Sequence, residues 1–94
     1  MKFNDNTRNL SYNYRQMIKL TNIKKEDNII SLHYFSNDTN QHVQGNIVFD
    51  IKERKLISGE ECIDRFDFGK VANIIQSYID EGKEIPKTCC RVYF

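Results

Sequence analysis

The stretch Asp67-Phe68-Gly69-Lys70-Val71-Ala72-Asn73-Ile74-Ile75-Gln76-Ser77-Tyr78-Ile79 decides the fold. Phe68, Val71, Ala72, Ile75, Tyr78 and Ile79 stand at i, i+3, i+4, i+7, i+10 and i+11, one apolar stripe at the 3.6-residue period of an amphipathic helix. Asp64 or Asp67 can cap its N-terminus, where a carboxylate also suits the helix dipole. Gly82 stands where a left-handed residue ends a helix. A single stripe has to be buried against something, and every other periodic stretch of the chain reads as strand.

Upstream, Leu10, Tyr12, Tyr14, Ile18 and Leu20 alternate with Ser11, Asn13, Arg15, Met17, Lys19 and Thr21, the period-2 pattern of a half-buried strand. Lys24 to Asn28 reads as a charged turn. Ile30, Leu32 and Tyr34 then alternate with Ser31, His33 and Phe35, completing a long hairpin. Ser36 to Gln44 reads as a polar loop. Residues 46–51 and 55–58 form a second hairpin around Lys52-Glu53-Arg54. Ser58-Gly59-Glu60-Glu61 has capping-box spacing and predicts a short helical turn. After the helix, residues 88–94 alternate again, with Cys90, Val92 and Phe94 expected on the face toward the helix. The predicted fold is α+β, in the order β-β-β-β-α-β: an antiparallel sheet of four to five strands with one amphipathic helix packed on one face. Residues 1–9 read as a frayed terminus and residues 10–94 as a single domain. Alternation does not say where the last strand joins the sheet.

The 94 residues carry 14 Lys+Arg against 13 Asp+Glu, and 39% are hydrophobic. This is the composition of a globular domain with one modest core, neither disordered nor low-complexity. No apolar run approaches the ~18–20 residues of a membrane span, and the N-terminus lacks the apolar region of a signal peptide. Cys62, Cys89 and Cys90 are odd in number and fit free thiols in a reducing cytoplasm. Ile (12), Asn (10) and Lys (9), all with A/T-rich codons, suggest an A/T-rich genome, bacterial or from a mobile element.

Motifs for chemistry are sparse. Asp67-Phe68-Gly69 spells a kinase tripeptide, but no Gly-rich loop or catalytic loop accompanies it. Its plain reading is a capping Asp, a Phe anchored in the core and a Gly permitting close packing. Cys62, Cys89, Cys90, His33 and His42 include no C-x-x-C or H-x-x-x-H pair, so no metal site is expected. Cys89 and His33 are expected to share the sheet face away from the helix, yet nothing beside them supplies an oxyanion site. Glu60-Glu61 and Asp64 with Asp67 read as solvated or helix-terminal charges. No phosphate-binding glycine loop is present. No catalytic residue, cofactor or membrane contact is expected.

Surface composition is more informative. Residues 1–25 hold six cations against Asp5, whereas residues 26–94 hold eight cations and twelve acids. If the helix covers the Leu10/Ile18/Leu20 side, the opposite face displays Arg15, Met17, Lys19, His33, Phe35, Val48, Arg91 and Tyr93. Aromatic, Met and Arg residues belong to interface cores, and His33 is the group there through which pH would act. The expectation is a small non-enzymatic interaction protein that binds a protein partner or a copy of itself through this open face. The alternative is a single-stranded nucleic-acid-binding module using the basic N-terminal strand, with aromatics for stacking and cations on phosphates. An unpaired edge at the C-terminal strand also invites pairing with another chain.

Overall fold

The computed structural model describes residues 16–38 and 42–93. Its elements are β1 (Gln16–Glu26), β2 (Ile29–Asp38), β3 (His42–Asp50), β4 (Lys55–Ser58), α1 (Arg65–Asp80) and β5 (Cys89–Tyr93). The strands form one antiparallel sheet in the order β4-β3-β2-β1-β5, with α1 packed on one face. This is the expected α+β architecture. The C-terminal strand takes the edge beside β1, so the chain passes from one sheet edge to the other by way of the helix. Residues 1–9, expected to fray, and residues 10–15, expected to begin the first strand, lie outside the described residues.

The hairpins are longer than their hydrophobic alternation. β1 runs through Lys24, Lys25 and Glu26, which pair with Ser31, Ile30 and Ile29, so the turn is only Asp27-Asn28 and not the charged stretch from Lys24. Asp27 takes φ 56, a left-handed conformation that Asp tolerates in tight turns. One extra residue sits in β1 between Thr21 and Lys24, where Asn22 has φ 53. This bulge reverses the parity, so that Ile18 and Leu20 before it and Ile23 after it all enter the core. The expected loop at Ser36–Gln44 is likewise mostly strand, because Ser36 pairs with Val43 and Phe35 with Gln44. Asn37 and Gln44 lie on the face that the helix does not cover, and Ser36, buried on the helix side, accepts a hydrogen bond from Gln16.

Ser58-Gly59-Glu60-Glu61 starts no helix. Ser58 ends β4, and a single turn follows, closed by the Cys62 amide donating to the Gly59 carbonyl at 3.0 Å. Gly59 has φ 95, and a Cβ there would lie 2.5 Å from the Asn46 carbonyl oxygen. Gly45, in β3, leaves room for Cys62: a Cβ at that position would lie 2.6 Å from Cys62 Sγ. The two glycines therefore let the 59–64 segment lie flat across β3 and deliver Asp64 to the helix start. Asp64, not Asp67, is the cap; its carboxylate accepts from the Asp67 amide at 2.8 Å. At the other end the Lys83 amide reaches the Tyr78 carbonyl and the Gly82 amide the Ile79 carbonyl, with Gly82 at φ 69. That is the six-to-one, five-to-two pattern of a glycine-terminated helix.

The core joins Ile18, Leu20, Ile23, Ile30, Leu32, Tyr34, Ile47, Phe49 and Ile51 of the sheet and hairpin ends to Val71, Ala72, Ile74 and Ile75 of α1. Each buried aliphatic side chain contributes about 1.5–3 kcal/mol. The Phe49 and Phe68 rings meet edge to face, with centroids 5.3 Å apart. Gly69 is not a packing glycine, because nothing lies within 4 Å of where its Cβ would be.

β5 reverses the expected parity. Gln16, Ile18 and Leu20 oppose Tyr93, Arg91 and Cys89, so these three residues of β5 lie on the helix side, and Cys90 and Val92 lie on the open side. Cys89 and Tyr93 pack against the core, whereas Val92 is 44% exposed. The two parities of this strand are nearly equal in hydrophobicity. The register is fixed elsewhere, by pairing with β1 and by the bond from the Ile23 amide to the Lys87 carbonyl at 3.1 Å.

Candidate functional site: the open sheet face

The two faces of the sheet differ in kind. Under the start of α1 the helix face carries a closed polar network. Tyr34 donates its hydroxyl proton to Asp67 Oδ2 at 2.5 Å, and Gln16 Nε2 lies 2.9 Å from the same oxygen and 2.8 Å from Ser36 Oγ. Lys70 Nζ donates to Gln16 Oε1, sits 3.7 Å from Asp67 Oδ1, and lies 4.6 Å from the Tyr93 ring centroid. Burial, reinforced by the Asp67 carboxylate, raises the Tyr34 phenol well above its ordinary range, and burial raises Tyr93. Every polar group here is spent on another, which ties the helix to β1, β2 and β5. The neighbouring 300 Å³ cleft, lined by Ser36, Glu60, Glu61, Cys62, Asp64 and Asp67 among others, opens beside this network.

Among the described residues, no helix covers the open face. Register places Val92, Met17 and Asn37 in one row and Cys90, Lys19, Phe35 and Gln44 in the next. Thr21, His33 and Asn46 form a third row, and Lys24, Ser31, Val48 and Ser58 a fourth. Adjacent and diagonal neighbours on a sheet face reach one another, so Val92, Met17, Cys90 and Phe35 make one apolar patch around Lys19. His33 separates this patch from Val48. Its Nδ1 lies 3.0 Å from Asn46 Oδ1 and its Nε2 3.2 Å from Gln44 Oε1, which holds the ring between two amide side chains. Lys19 and Lys24 are exposed on this face. Asp50, at its far end, accepts from the Lys52 and Glu53 amides and holds the following turn.

Of the residues expected on this face, Met17, Lys19, His33, Phe35 and Val48 lie on it together. Arg91 and Tyr93 do not, being on the helix side, and Arg15 lies outside the described residues. Cys90 and Val92 take their places, and sequence reasoning missed them because it assigned β5 the opposite parity. Cys89 is also on the helix side, so it does not share a face with His33. Burial raises its thiol pKa, the reverse of what nucleophilic chemistry requires. Cys62 is raised too, by burial and then by Glu61. Among the described residues no three His, Cys, Asp or Glu side chains gather to hold a metal ion, and no helix is long and apolar enough to cross a membrane. Phe66, outside the helix stripe, is 84% exposed on the outer side of α1 and stands apart from the open face.

No protein-family model matches the sequence, and no curated protein or solved structure was found similar to it.

Proposed function

We propose that this chain is a non-enzymatic interaction protein of the cytoplasm that binds another protein, or a second copy of itself, through the open face of its sheet. The carrying observation is the register that gathers Val92, Met17, Cys90 and Phe35 at one end of the sheet face opposite α1, with Lys19 among them. Apolar and aromatic groups ringed by polar side chains make an interface core with a solvated rim. The amides around His33 supply hydrogen-bonding groups beyond that core.

The test is a paired substitution, Met17→Ser with Phe35→Ser. Neither side chain belongs to the buried core, and an unchanged circular dichroism spectrum checks that the fold is kept. A partner recovered by cross-linking is purified and recombined with wild-type and substituted protein. A loss of affinity of about tenfold or more supports the reading, and unchanged affinity sinks it. Lys19 and Lys24 on the same face as Phe35 favour a second reading, single-stranded nucleic acid. Micromolar binding to a mixed-sequence single strand that collapses with salt and weakens in Lys19→Glu would put that reading first.

A further inference from the structure

We propose that the chain pairs with a second copy of itself along the free edge of β5, in antiparallel fashion, so that two sheets become one across a two-fold axis. This rests on the reading of the chain as an interaction protein and names the partner.

The two sheet edges are unlike. β4 has four residues, a register shift against Val48/Phe49, and Lys55 next to the charged turn at 52–54. Short length, a bulge and edge lysines are the features that prevent strand addition. β5 has neither the bulge nor the lysine. Its five residues stay in unbroken register with β1 from Leu20–Cys89 to Gln16–Tyr93, without Pro or Lys. Among the described residues it pairs only with β1, and none of them bonds to its outer row of backbone N–H and C=O groups. The chemistry that fits such a row is an extended polypeptide.

Side chains favour a second copy as that polypeptide. Cys90 and Val92 are uncharged, exposed and continuous with Met17 on the open face, so a two-fold axis at this edge fuses two apolar patches into one. Arg91 is the single charge in β5. A pairing centred on Arg91 sets two guanidinium groups directly opposite, which is unfavourable; one centred on Cys90 or Val92 sets Arg91 opposite Cys89 or Tyr93 of the second copy. Five residues a side bury less than the roughly 1,200–2,000 Å² of a stable interface, so the dimer forms with rising concentration and is not permanent.

Sedimentation velocity on the full chain, with reductant and across about 5–500 µM, reads the association directly. The expected result is a monomer–dimer equilibrium that Cys90→Lys and Val92→Lys each weaken by about tenfold or more, with circular dichroism unchanged, and that Phe35→Ser leaves intact. A monomer at every concentration overturns the proposal, as does a dimer indifferent to both lysines. A dimer lost in Phe35→Ser but kept in Val92→Lys also overturns it, while leaving the open-face reading standing.

Discussion

The Tyr34 hydroxyl donates to Asp67 Oδ2 at 2.5 Å, joining the centre of β2 to the first turn of α1. The same carboxylate oxygen receives Gln16, and Gln16 in turn receives Lys70. Helix and sheet are therefore held in register by a polar clamp as well as by the apolar stripe. A fully satisfied network of this kind specifies one arrangement of the elements more than it adds stability.

Tyr34→Phe leaves Asp67 with Gln16 and Lys70 as partners and is expected to cost about 1–2 kcal/mol in urea unfolding. Its pH dependence is more diagnostic. Tyr34 holds its proton in the folded state to a higher pH than its ordinary value of 10.0. The unfolded chain therefore binds fewer protons above about pH 10, and stability falls as pH rises through that region. In Tyr34→Phe the fall is shallower; an identical alkaline profile would show that the phenol is not held this way.

Gly45→Ala drives a methyl group to 2.6 Å from Cys62 Sγ and 2.9 Å from Cys62 Cβ. Overpacking of this kind costs about 1–3 kcal/mol. Because the clash is with one side chain, Cys62→Gly in the same protein is expected to recover most of the loss. Additive effects in the double-mutant cycle would place the clash elsewhere.

Gly69→Ala is expected to stabilise the protein by about 0.5–1 kcal/mol, seen as a higher thermal midpoint. Gly69 is inside a helix, nothing occupies the space of its missing methyl, and alanine reduces the entropy of the unfolded chain.

Thiol labelling orders the cysteines. Cys90 is exposed, whereas Cys62 and Cys89 are partly buried with thiols raised by that burial. An aromatic disulfide reagent at neutral pH is expected to modify one thiol fast and two slowly, with the fast phase abolished by Cys90→Ser. Persistence of the fast phase in that variant would contradict the parity of β5.

The sequence by itself determined the α+β class, the order of elements, the helix stripe and its glycine end, because these follow from local period and local capping chemistry. It also placed Met17, Lys19, His33, Phe35 and Val48 on one face, since strict alternation holds along those stretches. Three features were decided only by the tertiary structure. The bulge at Asn22 depends on how β1 aligns with β2, and no period within β1 announces it. The identity of the cap, Asp64, depends on Asp67 being drawn under the helix by Tyr34 and Gln16. The face of β5 depends on pairing with β1, because an edge strand with Cys89, Arg91 and Tyr93 on one side and Cys90 and Val92 on the other has too little hydrophobic contrast to fix its own orientation.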